Sequence, residues 1–234
     1  LFRKDFEIMT TIYFVRHGTT SSNIDGRFQG STNVPLGEMG LLQADALAER
    51  FRTIPIDAVY CSPLVRAVQT AQGICRYLSC TPQCEADLRE IDGGQLENQT
   101  NACNEQRYPG SMTTLRLDPA HFNPPEGEPS RQVWQRVRAA IERIAAAHPN
   151  QSVVVVSHGF ALMTYLGTVD TEFDDMKARL VSNASVTTIT YEEPNRPCMV
   201  QYNDTTHLPE AVRFRSKFWQ EDAKKEESSH APVE

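Results

Sequence analysis

The sequence lacks any run of about eighteen apolar residues, the length that crosses a bilayer, so no membrane partner is expected. It also lacks a basic excess: 23 Lys and Arg stand against 30 Asp and Glu, a net charge of −7. A nucleic-acid binder normally shows the opposite balance or a basic stripe. A small anionic ligand remains compatible with this charge, because a few arginines can reverse the field inside one cleft. There is no Cys-x-x-Cys pair and no histidine pair at zinc-finger spacing. The six cysteines, at 61, 75, 80, 84, 103 and 198, therefore read as isolated reduced thiols rather than as a metal or disulfide framework. "LFRKDFEI" lacks the apolar core of a secretory signal, which makes the cytoplasm the expected compartment and the sequons at Asn98, Asn183 and Asn203 coincidental. Internal repeats are absent as well.

What is there is ordinary for a globular chain. With 40% hydrophobic and 23% charged residues over 234 positions, it suits one large domain with a sizeable core. Residues 1–9 read as an appended segment or N-terminal extension ahead of the domain, with Met9 resembling a natural start. Residues 10–219 read as the single domain, with 93–130 as an insert that covers the substrate, and 220–234 as a polar, disordered tail. Just before that tail, "VRFRSKFWQ" carries enough aromatics to dock on the domain or on a second subunit, so a monomer or a homodimer is expected.

Thr11–Val15 is a continuous apolar run, as a strand buried on both faces requires. The spacing of Gly40, Ala44, Leu47 and Phe51 predicts an amphipathic helix over 37–52. "IDAVYCSP" is a second strand, and Ser62-Pro63 reads as a helix start, with Ser62 as N-cap and Ala67, Ala71, Ile74 and Leu78 as the buried face. Ser130 reads as the cap of a further helix whose Val133, Val137, Ile141 and Ile144 face inward. The valines 153–156 form the strongest strand and lead into Ser157-His158-Gly159 and a short helix, 160–166. "SVTTITYEE" and "CMVQYN" complete the set as two strands paired around "EPNRP". This alternation predicts an α/β three-layer sandwich: a mainly parallel, doubly wound sheet of about six strands with helices on both faces. Ligands in such folds sit outside the carboxyl ends of the strands. Three strands end there in Arg16-His17-Gly18, Cys61-Ser62-Pro63 and Ser157-His158-Gly159.

The residue types gathered at those ends suit phosphoryl transfer. Arg16 and Arg66 can hold a phosphoryl group by bidentate, charge-assisted bonds. His17 can attack phosphorus, Glu90 can protonate the leaving oxygen, and His158, if cationic or donating, can stabilise charge on the transferred oxygens. The neighbouring arginines disfavour imidazolium and keep His17 neutral, and its second ring nitrogen should donate to a backbone carbonyl, Gly18 being the nearest candidate. Gly18 itself reads as the residue that lets the chain turn sharply and approach the phosphate. A bound phosphate dianion should raise the pKa of Glu90 and favour its acid form.

The chain resembles the histidine phosphatase superfamily in its phosphoglycerate-mutase-like branch. The resemblance rests on "YFVRHGTT", "DGRFQGSTNVPLGEMG", "VYCSPLVRAVQTA", "DLREIDGG", "PPEGEPSRQVWQRV", "VVVVSHG" and "YNDTTHL", in family order from Thr11 to Leu208. It implies that His17 becomes phosphohistidine, that Arg16, Arg66 and His158 form the phosphate pocket, and that Glu90 is general acid and then base. It also implies substrate contacts at Asn23, Gln29 and Gly159, a small phosphorylated metabolite as substrate, and no metal or organic cofactor. His207 reads as structural, and His121 and His148 as loop and helix-end residues; Arg27 and Arg116 are candidates for reading a substrate carboxylate or second phosphate. The chain departs from the family where a tryptophan and a glycine are usual and it has Leu96 and Asn98, which puts one pocket wall in question; Thr19 stands where Glu or Gln is common. A metal-independent phosphatase for small phosphomonoesters is the expected activity. The alternatives are a cofactor-dependent phosphoglycerate mutase, which would carry more basic residues in the insert than Arg107 and Arg116, and a non-catalytic protein-binding member of the fold.

Overall fold

The computed structural model describes residues 9–193 and 196–214. The readings of residues 1–8 and 220–234, and most of the docking segment, lie outside the described residues.

Strand β1 (Thr10–Arg16) is followed by a single helical turn, α1 (Ser21–Ile24), and by α2 (Glu38–Phe51). Next come β2 (Ala58–Cys61), α3 (Val65–Ile74) and the short edge strand β3 (Gln83–Cys84). The insert carries α4 (Asn101–Arg107) and α5 (Ser111–Leu117), and the long α6 (Ser130–Ala147) follows. Strand β4 (Ser152–Ser157), α7 (Gly159–Leu166) and the hairpin pair β5 (Val186–Glu193) and β6 (Arg196–Asp204) complete the domain. The sheet order is β3-β2-β4-β1-β5-β6. The first four strands are parallel, whereas β5 and β6 pair antiparallel, so the expected parallel sheet ends in an antiparallel edge.

The valines of β4 show why the sheet must be covered on both sides. Val153 and Val155 point into one core with Ile12, Phe14, Ile189 and the inner face of α6. Val154 and Val156 point into the other, with Val15, Val59, Leu47, Phe51 and Ala71 of α2 and α3. All four are fully buried, as the two-residue side-chain period of a central strand demands.

Two helix starts differ from the sequence reading. Ser62 does not cap α3: the N-cap is Leu64, two residues on, and the Ser62 hydroxyl lies 2.7 Å from Nε2 of His158. Leu78 falls beyond α3, after a turn of 3₁₀ helix at Cys75–Tyr77. Likewise Ser130 is the first residue of α6 and Pro129 its cap, and the Ser130 N–H donates to the Phe122 carbonyl at 3.0 Å. The insert, 93–130, holds two seven-residue helices. The cysteines are free thiols but not isolated: Cys75 and Cys80 sulfurs lie 3.6 Å apart, and Cys61 and Cys84 sulfurs 4.0 Å.

Candidate active site

β1 and β4 are adjacent, parallel and in register, with Arg16 opposite Ser157. The residues that follow, His17 and His158, therefore emerge side by side, with ring centroids 5.1 Å apart. His17 is buried and its Nδ1 lies 2.7 Å from the Gly18 carbonyl oxygen. A carbonyl only accepts, so Nδ1 carries the hydrogen and Nε2 keeps its lone pair. Burial first, and then the charges of Arg66 and Arg16, hold this ring well below the ordinary imidazole pKa, against the opposing pull of the Gly18 carbonyl. The ring is neutral, as the sequence predicts, although desolvation contributes more than either arginine alone.

Both arginines are gripped by backbone carbonyls. Nη1 of Arg16 donates to Val181 O at 2.8 Å, and its buried Nε has no partner among the described residues. Arg66 donates through Nη1 to Thr32 O at 2.7 Å and through Nη2 to Gly30 O at 2.8 Å. Its Nε donates to Nδ1 of His158 at 3.2 Å. Burial lowers the pKa of each guanidinium to about 10, while the Glu90 carboxylate pulls both upward. A buried and a half-buried cation held beside a neutral imidazole form a site suited to an anion.

Glu90 follows β3 and faces the start of α7. Its Oε1 accepts from the N–H groups of Ile91 at 3.0 Å and Ala161 at 2.9 Å, and its Oε2 from Phe160 at 3.1 Å. Asn23 belongs to the capping box of α1, with Oδ1 accepting from Thr20 N at 3.1 Å and from Asn183 Nδ2 at 3.2 Å. Gln29 Oε1 accepts from the Thr20 hydroxyl at 3.0 Å. Arg16, His17, Asn23, Gln29, Arg66, Glu90 and Gly159 line one cavity.

His158 is placed differently from the sequence reading. It is fully buried behind Arg66 and outside the cavity lining, with Nδ1 accepting from Arg66 and Nε2 donating to Ser62. Burial, Arg66 and His17 keep it well below the ordinary imidazole pKa. Gly18 is also outside the lining. A Cβ there would lie 2.7 Å from the Gly40 carbonyl oxygen, so its small size admits the first turn of α2 rather than a ligand. Arg27 lines the cavity, whereas Arg116 does not. His207 sits beside Arg50, away from the cavity, His148 ends α6, and the exposed His121 pairs with Asp118 at 2.8 Å.

The two departures from the family pattern, Leu96 and Asn98, lie outside the cavity lining. Asn98 has φ +63°, in the left-handed region where glycine is at ease and asparagine is tolerated. Leu96 is fully buried in the core. Several supports left no signal in the sequence. Asn183 donates to His17 O at 3.1 Å, Thr70 Oγ1 accepts from Gly18 N at 3.0 Å, and Ser62 was legible only as a helix cap. Glu97 is another: it accepts from Ser31 N at 2.6 Å and from Gly93 N at 2.9 Å, and so holds the loop that grips Arg66.

Residues 12–205 match the sequence model of the histidine phosphatase superfamily, branch 1. The chain belongs to that superfamily. A member of it is a phosphatase-type enzyme, and the mixed six-stranded sandwich is its fold. Among individual histidine phosphatases, "Uncharacterized phosphatase PhoE" of Bacillus subtilis (strain 168) is 28% identical over 200 residues, 86% of this chain and 97% of that one. "Probable phosphoglycerate mutase GpmB" of Proteus mirabilis (strain HI4320) is 34% identical over 161 residues, 69% of this chain and 75% of that one. The structure of Bacillus stearothermophilus YhfR superposes with a TM-score of 0.79 at 30% identity, covering 85% of this chain and 98% of that one. A mycobacterial glucosyl-3-phosphoglycerate phosphatase superposes at 0.77 with 25% identity, over 84% of this chain and all (100%) of that one.

Proposed function

We propose that this histidine phosphatase hydrolyses small phosphomonoesters through a phosphohistidine at His17, by a route that uses side chains alone. The observation that carries the reading is the pairing of a neutral His17, with its Nε2 lone pair available, with the buried Arg66 and the half-buried Arg16 guanidinium on one cavity. Arg16 and Arg66 hold the dianionic phosphoryl group, and Asn23, Gln29 and the start of α7 at Gly159 complete its surroundings. Nε2 of His17 bonds to phosphorus as the bond to the ester oxygen breaks, and Glu90 passes its proton to that oxygen. Water then attacks the phosphohistidine. Glu90 takes its proton, the P–N bond breaks and phosphate leaves. His158 serves this chemistry from behind, by accepting from Arg66 and fixing the guanidinium.

The mutase is the second reading, favoured by the mutase name of the Proteus mirabilis relative. Against it, the rest of the cavity lining includes apolar groups such as Phe28, Leu115 and Met163, with Arg27 as the further cation in the lining. That is thin provision for a substrate carboxylate and a second phosphate.

A panel of phosphomonoesters assayed with and without chelator, for the parental chain and His17→Ala, tests the proposal. The expected result is hydrolysis indifferent to chelation and lost in the variant, with phosphohistidine recovered by mass spectrometry after an alkaline quench. Undiminished turnover in His17→Ala sinks the mechanism. Adding 3-phosphoglycerate with its bisphosphate separates the mutase from the phosphatase.

A further inference from the structure

Two charged residues of "PPEGEPSRQVWQRV" take no part in the chemistry above, and they meet at the back of Glu90. Arg136 on α6 and Glu128 just before it form an ion pair with side chains only 10% and 11% exposed. Nε of Arg136 donates to Glu128 Oε1 at 2.7 Å, and Nη2 donates to Oε2 at 2.8 Å. Nη1 donates to two backbone carbonyls, Asp87 O at 2.8 Å and Arg89 O at 2.6 Å. The second hydrogen of Nη2 reaches Glu90 O at 3.1 Å. A guanidinium has five N–H donors in a fixed fork, and all five are used. Glu128 extends the grip, its N–H donating to Asp92 O at 2.8 Å.

We infer that Arg136, held by Glu128, is a positioning residue that fixes the backbone of Glu90 so that its carboxyl group stays in reach of the leaving oxygen. The inference rests on the reading of Glu90 as general acid. The ion pair holds the carbonyls of residues 87, 89 and 90 and, through Glu128, that of residue 92. The Glu90 carboxylate is held separately, by N–H groups at its own loop and at the start of α7. Arg136 thus takes the carbonyl of Glu90 and not its carboxylate, and the charge of Arg136 is met by Glu128. A cation paired directly with the acid would lock it ionised. Arg136 instead fixes where the carboxyl group stands without occupying either of its oxygens. Position matters here because a displacement of about 1 Å can cost on the order of 10²-fold in rate. Lysine cannot replace this residue, having three donors on a point charge and no planar fork.

The test compares Arg136→Lys and Glu128→Gln with the parental chain on two esters. Glycerol phosphate leaves as an alkoxide and needs the proton, whereas 4-nitrophenyl phosphate leaves as a stabilised phenolate and needs it little. The kcat/KM values report transfer to His17. For Arg136→Lys the expected fall is about 10- to 100-fold on glycerol phosphate, a part of the roughly 10²–10⁴ that a general acid supplies, and under about threefold on the nitrophenyl ester. Inhibition by inorganic phosphate should stay within about twofold of the parental value, and Arg136→Lys should add under about twofold in a Glu90→Gln background. Equal losses on both esters, or a full further loss in that background, would reduce the pair to a structural ion pair and overturn the inference. Glu90→Gln alone reports on the underlying reading: if it shows no leaving-group dependence, the acid is elsewhere, whatever Arg136 does. Should Arg136→Lys lose its cooperative melting transition, Glu128→Gln carries the same comparison.

Discussion

Glu97 makes a sharp test of how the phosphate pocket is held. Its carboxylate accepts from Ser31 N at 2.6 Å, Ser31 Oγ at 2.8 Å and Gly93 N at 2.9 Å, and also from the Thr32 hydroxyl. The space it fills exists because residue 30 is glycine, with φ +51° and an imagined Cβ only 2.2 Å from Oε1. The carbonyls of Gly30 and Thr32 in the same loop are those that grip Arg66. Glu97→Ala strands the buried Gly93 N–H at about 1–3 kcal/mol, while water can replace most of what the half-exposed Ser31 and Thr32 lose. A net loss of about 1–3 kcal/mol lowers Tm by roughly 2–12 °C for a domain of this size. Arg66 remains but loses its fixed seat. Complete loss of a charge-stabilising donor costs on the order of 10²–10³ in rate, so a loosened one should cost about tenfold, with weaker inhibition by inorganic phosphate. The assay is a double-mutant cycle with Arg66→Lys, scored on kcat/KM and phosphate inhibition. Glu97→Gln, which keeps one acceptor oxygen, should recover part of both. Additive losses in the cycle, or unchanged phosphate inhibition in Glu97→Ala, would refute the link between the two residues.

Three further outcomes are expected. His17 and His158 stay neutral when buried, whereas the unfolded chain takes up protons on both rings as pH falls through about 6.5; each ring therefore removes up to about 1.4 kcal/mol of stability per pH unit below that value. His207, held at about 4 by burial and Arg50, acts in the same direction, and a Tm that stays flat from neutral pH to about 5 would contradict this. Gly40→Ala should cost about 1–3 kcal/mol or more by overpacking, since its Cβ would stand 2.1 Å from the Thr19 carbonyl oxygen on the loop after His17; a variant with parental Tm and activity would show that the contact is slack. At Asn98, with φ +63°, Gly should be tolerated and Val should cost about 1–2 kcal/mol in thermal or urea unfolding, and equal stabilities would rule out the backbone explanation for this family position.

Five of the six strands, the layers and the Arg16, His17 and Arg66 positions on the cavity were legible as local signals, whereas Asn23, Gln29 and Glu90 were legible through the family resemblance. Val153–Val156 reads as a central strand from four consecutive residues, and the Arg-His-Gly and Ser-His-Gly endings follow directly from their strands. The antiparallel edge at β5 and β6 was not legible, since strand direction depends on which neighbour a strand finds. Nor was the placing of His158 behind Arg66, which follows from the Ser62 hydroxyl 96 positions away in the chain. Asn183, Glu97 and Arg136 carry no chemical signature of their own. They matter because packing brings them to the backbone of His17, to the loop that holds Arg66 and to the backbone of Glu90. Which groups are present is written along the chain. How each is held, and in which protonation state, is set by burial and by hydrogen-bond partners that only the folded chain brings within reach.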